Sequence, residues 1–323
     1  MTSAAGSSSD HSFRVLALDG GGIKGTFAAA VLASFEETLG SPLVDYFDLI
    51  AGTSTGGIIA LGLGLGLPSK QILDFYETRG PQIFVGARGL LGRVLGPKYD
   101  DRPLREALEE VFGHRLLGDA QTRLVIPSLN LETGQVHVFK TAHHERFERD
   151  YKERVVDVAL ATAAAPTYFR THRLPAGTPL IDGGLWANNP MGAAAVEALG
   201  VLEWPRGSVK LLSIGCTESP PSIRERSGSG LGLREWVPHL VDTFMNAQSS
   251  GSVGTATLLL GHENVHRISH SVTGDRYKLD GIERIESLKG LGASVARHEY
   301  PNVKANFLTE KALRFIPKHG AAR

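Results

Sequence analysis

With 323 residues, of which 34 are basic and 34 acidic, the chain is long enough to bury one large α/β core and carries no formal net charge. That balance excludes capture of a nucleic acid polymer or an anionic surface by a global field, so any charged partner must be met locally. A single cysteine, Cys216, excludes an internal disulfide and a cysteine-built zinc site, and it suits a reducing, cytoplasmic setting.

Residues 1–12 are rich in serine and lack the basic start and apolar centre of a signal peptide, so they are expected to form a disordered tail. Residues 14–18 (RVLAL) have the pattern of a buried strand, ending in Asp19 and the loop Gly20-Gly21-Gly22-Ile23-Lys24-Gly25. A helix should follow, with Phe27, Val31, Leu32 and Phe35 on one side and a stop at Gly40-Ser41-Pro42. A second short strand over 47–51 runs into Gly52-Thr53-Ser54-Thr55-Gly56-Gly57, and another apolar run begins at Ile58. Residues 49–68 are uncharged and long enough to cross a bilayer. Their six glycines and early serine-threonine cluster instead suit a strand, a sharp turn and a buried helix.

Further strands are expected at 123–129, 136–139 and 209–214, with helices near 70–76, 103–112, 153–164 and 191–199. The stretch 86–98 alternates leucine, glycine and arginine, which fits a lid, a lipid-headgroup contact or an ordinary surface loop. The expected organisation is therefore a catalytic core over 13–215, a flexible loop over 216–235, and a helical C-terminal part over 236–323 packed on the same domain. Strand and helix alternate from the start, which predicts an α/β fold with a mainly parallel sheet that presents its strand ends to ligands.

The chemistry centres on Ser54. A serine between two glycines at a strand-to-helix turn has the form of a nucleophile elbow, where flanking side chains would collide with the neighbouring turn. A serine hydroxyl is a weak nucleophile and needs both a base and donors for the developing oxyanion. Backbone amides of Gly20, Gly21 and Gly22 can supply the donors, since no side chains obstruct them near a helix start. The same loop reads as Gly20-x-Gly22-x-x-Gly25, a dinucleotide fingerprint, with Asp45 or Asp48 near the spacing of a ribose-binding acid. Asp182 ends the apolar run Leu180-Ile181 and is followed by Gly183 and Gly184; Asn188 and Asn189 come after. It stands 128 positions after the serine (182 less 54), so only the fold can bring the two together. It is either the base or a carboxylate capping a turn.

Three pieces together resemble the patatin-like phospholipase family. Asp19 to Gly25 matches its oxyanion loop, Gly52-Thr53-Ser54-Thr55-Gly56 its nucleophile motif, and Asp182-Gly183-Gly184 its catalytic aspartate motif. The segment 161–169 also looks like the one that precedes the aspartate strand, and the likeness covers roughly 13–215. Lys24 stands where the family often has arginine, and a lysine cannot form the same two-pronged contact. The resemblance implies a three-layer α/β/α fold, a Ser54–Asp182 dyad without histidine, no metal or cofactor, and a lipid ester substrate. Six histidines follow Asp182 (His239, His262, His266, His270, His298 and His319), so a serine-acid-histidine order remains open.

Residues 13–84 are similar in particular to the phospholipase effectors of bacterial anti-phage signalling. That likeness implies a cyclic dinucleotide activator made by a partner nucleotidyltransferase. It also implies attack on membrane phospholipid at the inner face of the membrane, and self-association on activation. A constitutive lipid acyl hydrolase, a dinucleotide-dependent oxidoreductase and a binding protein without catalysis remain as alternatives.

Overall fold

Burial alternates along each central strand, and the alternation divides the core in two. On strand β1 (Phe13–Leu18), Leu16 and Leu18 face one apolar cluster while Val15 and Ala17 face another. Strand β2 (Leu49–Gly52) does the same with Ile50 against Leu49 and Ala51. A sheet buried on both faces needs helices on both sides, and it has them. In the computed structural model, residues 11–87, 89, 96–218, 232, 240–272 and 277–320 are described. The stretch 86–98 and the loop 216–235 therefore fall largely outside the described residues.

Helices α1 (Gly25–Leu39), α2 (Thr55–Gly64) and α3 (Ser69–Ile83) fill the first cluster. They are joined there by α4 (Arg102–Phe112) and α5 (Val155–Thr162). All ten residues of α2 are buried, as expected of a helix apolar on every side. Among the described residues no helix is long and apolar enough to cross a membrane. After strands β3 (Arg123–Asn130), β4 (Val136–Lys140), β5 (His172–Arg173) and β6 (Pro179–Asp182), a short helix α6 (Gly184–Ala187) leads to α7 (Met191–Val196). Strand β7 (Val209–Glu218), helix α8 (Leu240–Leu260), strand β8 (Val265–Ser271) and helix α9 (Ile285–Phe307) complete the chain. Residues of α7 and α8 cover the second cluster, and α9 packs along α1 on the first face.

The sheet runs β5-β6-β3-β2-β1-β7-β8, with β4 paired to β3. Its centre is parallel and its β3 side antiparallel. One difference from the sequence reading stands out. The C-terminal part is not purely helical, because β8 joins the sheet beside β7. Only Ile268 of β8 is buried, so the strand lacks the apolar alternation that marks a strand in sequence. The sheet is mainly parallel, as expected, with β4, β5 and β6 entering antiparallel.

That antiparallel entry positions the site. Val125 pairs with both β2 and β4, and Ser128 with both β4 and β6, so β2 and β6 must share one edge of β3. β2 leaves that edge at its C-terminal end and β6 occupies the next stretch, with Asp182 opposite Ser128. The end of β6 therefore lies beside the turn that follows β2.

Candidate active site

Ser54 occupies that turn with φ +55 and ψ −121, a conformation that costs a non-glycine residue about 1–3 kcal/mol and needs surrounding support. The support comes from neighbouring strands. The Ser54 N–H donates to Thr162 Oγ1 at 3.0 Å, and Thr162 Oγ1 in turn donates to the carbonyl of Pro127 at 2.6 Å. The Thr53 N–H donates to Leu18 O at 3.2 Å, tying the elbow to the end of β1. A methyl on Gly56 would run into the carbonyl of Leu18, and one on Gly52 into that of Gly56, which is why both positions are bare.

The elbow and β6 bring together the two residues singled out in the sequence. Ser54 Oγ donates to Asp182 Oδ2 at 2.7 Å. The other carboxylate oxygen, Oδ1, accepts the Gly184 N–H at 2.6 Å, which fixes the rotamer. Gly183 lies against the Pro127 carbonyl, so the turn carrying the aspartate sits hard on β3. Asp182 is 5% exposed. Burial pushes its carboxyl up to about 6, with the hydrogen bonds from Ser54 and Gly184 holding it back. A carboxylate with a raised pKa is a stronger base than an ordinary aspartate. Its ionised form dominates above about pH 6, so the rate on a soluble ester should be level in neutral solution and fall about tenfold per unit below that point. A kcat/KM profile from pH 4.5 to 8.5 measures this, and a rate that rises into acid would contradict it.

The glycine loop lies opposite. The Gly20 N–H is already bonded to the carbonyl of Asn188 at 2.9 Å, which corrects the expectation that all three glycines offer donors. Gly21 and Gly22 line the cavity with Ser54, and Gly22 adopts φ +57 against the carbonyl of Leu279. The Ile23 N–H donates to that same carbonyl at 2.8 Å. Lys24 Nζ donates to Thr217 O at 2.9 Å, so a single ammonium fastens the loop to β7 where a guanidinium fork was in question. Gly25 opens α1 packed against Thr55. Asp19, 4% exposed, is paired with Arg267. Cys216 packs beneath Gly21, its thiol pushed up to about 12 by burial, which keeps it an unreactive small apolar group.

The cavity above Ser54 and Asp182 has a volume of about 660 Å³. Its walls are Ile58, Phe75, Ile83, Phe84, Leu104 and Phe169, and Leu185, Leu240 and Phe244 carry the apolar lining out to exposed positions. Such a lining suits a hydrocarbon chain, with polar groups confined to the floor. Among the described residues that line it, none is a histidine. His266 pairs with Glu299, His319 meets the carbonyl of Glu145, and His262 and His298 are exposed; His239 lies outside the described residues. Among the described residues no cluster of three or more His, Cys, Asp or Glu side chains is arranged to hold a metal.

The dinucleotide alternative fails on geometry. Asp48 precedes β2 and bonds to Arg14 at the start of β1, the end of the sheet remote from the glycine loop. Asp45 pairs with Lys311. Neither acid can reach a ribose held over Gly20 to Gly25. Sequence reasoning missed Thr162, Leu279 and Arg267 as parts of the site. Thr162 stood within the segment singled out at 161–169, whereas the other two carry no local signature.

Residues 16–195 match the family described as Patatin-like phospholipase. A protein of Pseudomonas aeruginosa (strain BWHPSA011 / Pa011) named "cGAMP-activated phospholipase" is 38% identical, over 84% of this chain and 83% of its own length. One of that name from Vibrio cholerae is 37% identical, over 72% of this chain and 74% of its own. A third, from Escherichia coli (strain TW11681), is 40% identical over 55% and 53%. Since the matched stretch contains the elbow, the glycine loop and the aspartate turn, and the likeness continues through most of the chain, this protein belongs to the patatin-like phospholipase family.

Proposed function

We propose that the chain hydrolyses acyl esters of membrane glycerophospholipids through Ser54 and Asp182, under the control of a cyclic dinucleotide. The observation that carries the reading is the 2.7 Å hydrogen bond from Ser54 Oγ to Asp182 Oδ2 on the floor of an apolar cavity. Asp182 takes the Ser54 proton as Oγ attacks the ester carbonyl carbon, and the displaced electron pair settles on the carbonyl oxygen. The amides of Gly21 and Gly22 receive that oxyanion, aided by the positive end of α2 directly behind Ser54. The intermediate collapses, the alcohol oxygen leaves with the proton from Asp182, and an acyl-enzyme remains. Water then gives its proton to Asp182, attacks the acyl carbon and releases the fatty acid, and the proton returns to Ser54.

Activation is supported by the names of the relatives, each described as activated by cGAMP. On that basis a cyclic dinucleotide, supplied by a partner nucleotidyltransferase during phage infection, switches the enzyme on. It then self-associates and degrades phospholipid at the inner face of the membrane. Vesicles of phosphatidylethanolamine and phosphatidylglycerol provide the test, with released fatty acid measured across a panel of cyclic dinucleotides. Cyclic GMP–AMP should raise the rate roughly tenfold or more, within the range of ordinary allosteric coupling. Steady hydrolysis unchanged by every nucleotide would leave a constitutive hydrolase, and no hydrolysis under any condition would remove the enzymatic reading.

A further inference from the structure

Three consecutive glycines make a poor platform for a preorganised oxyanion site. Glycine has the greatest backbone freedom of any residue, and a loop of them has no side chains of its own to anchor it. The anchors must come from outside, and the one on the N-terminal side is Asp19. Its backbone N–H donates to Ile214 O at 3.1 Å, and its buried carboxylate faces Arg267 on β8. Arg267 Nη2 donates to Asp19 Oδ2 at 2.6 Å and Nη1 to Oδ1 at 3.2 Å, a two-pronged contact spanning 248 positions of sequence. The same guanidinium donates to Ser213 Oγ at 2.7 Å and to Glu218 Oε1 at 2.7 Å, so β7 and β8 fix its orientation. Burial alone would drive the Asp19 carboxyl upward, and the adjacent guanidinium opposes that.

We propose that Arg267 is a positioning residue for the oxyanion amides: through Asp19 it sets the register of Gly21 and Gly22 over Ser54. Arg267 lies outside the matched family stretch of 16–195, so a residue of the C-terminal strand joins the Asn188 carbonyl, which holds the Gly20 amide, in placing the donors. Leu279, also beyond that stretch, meets the other end of the loop at Gly22 and Ile23. The loop is thus clamped between two points of the C-terminal part. A displacement of about 1 Å in a reacting geometry costs on the order of 10²-fold in rate, so a lost clamp should act on turnover more than on substrate capture.

This inference rests on the hydrolase reading, and the test keeps the two apart. The full-length chain is assayed on p-nitrophenyl butyrate with and without cyclic GMP–AMP, alongside melting temperature and the rate of labelling by a fluorophosphonate. Arg267→Met should lower kcat by about 10²-fold, with KM changed by less than about twofold. Arg267→Lys keeps the charge without the fork and should recover part of that loss. The pair Asp19→Asn with Arg267→Met removes the unpaired buried carboxylate, so it should regain melting temperature while kcat stays low. If Arg267→Met does not fold, the other two variants decide. The proposal is overturned if folded Arg267→Lys and the paired variant both turn over at the wild-type rate. It is overturned equally if kcat merely follows melting temperature through the series. Ser54→Ala in the same assay keeps the readings separate, because wild-type turnover there would remove the hydrolase reading itself.

Discussion

Changing Ser54 to alanine will lower kcat by about 10⁶-fold, the scale seen when a serine nucleophile acting as part of a unit is removed. The loss is chemical and not structural. The hydroxyl hydrogen-bonds to Asp182, whereas the strained turn is held by the Ser54 N–H on Thr162 and by the close approach of Gly52 and Gly56. Alanine keeps all of the latter, and it meets the unusual backbone angles at much the same cost as serine. Fatty acid release from vesicles should vanish while the melting temperature stays within a few degrees of wild type. Retained turnover in this variant would mean that another group attacks the ester.

Asp182→Asn should also be severe in rate, yet it should raise stability at neutral and alkaline pH. Asparagine can still accept the Gly184 N–H and face Ser54, so the geometry survives, but it cannot take a proton; a loss of about 10⁴-fold in kcat is expected. Burial on folding pushes the carboxyl from the ordinary aspartate range up to about 6, so the ionised form is disfavoured in the folded protein. Its contribution to stability is full below the unfolded value and is lost as pH rises through about 6. That elevation corresponds to at most roughly 3 kcal/mol. The asparagine variant should therefore melt higher than wild type at pH 8 and close to it near pH 3.5. Equal melting temperatures at pH 8 would show that Asp182 is not held in a dry environment, and wild-type turnover would remove it as the base.

The local parts of this site were legible in the sequence because each rests on short-range physics. Ser54 between glycines, Gly20 to Gly22 after a strand, and Asp182 closing an apolar run all announce a turn at a strand end. Their meeting was not legible. It depends on β6 taking the stretch of the β3 edge that β2 vacates, a matter of sheet topology that brings together two side chains 128 positions apart. The loss of Gly20 as a donor has the same origin, since its amide is taken by Asn188 from the far side of the aspartate turn. Strand β8 escaped notice because a parallel strand at the sheet's edge buries one residue and shows no clean alternation. With it went Arg267, whose importance lies in a partner 248 positions away.

The fold also explains why an uncharged stretch of bilayer length needs no bilayer. Residues 49–64 divide into a central strand, an elbow and a helix buried on every side, and the apolar surface they carry is consumed by the sheet and by α1, α3 and α5. At the cavity, Leu185, Leu240 and Phe244 are exposed beside a lining suited to acyl chains.

The central claim is that Ser54 is an activated nucleophile, and covalent trapping tests it most directly. The full-length protein is treated with a fluorophosphonate, with and without cyclic GMP–AMP, and the adduct is located by peptide mass spectrometry. A single adduct on Ser54 is expected, slowed strongly in Asp182→Asn. An adduct on a different residue, or labelling of Ser54 at an equal rate in the Asp182→Asn protein, would contradict the account.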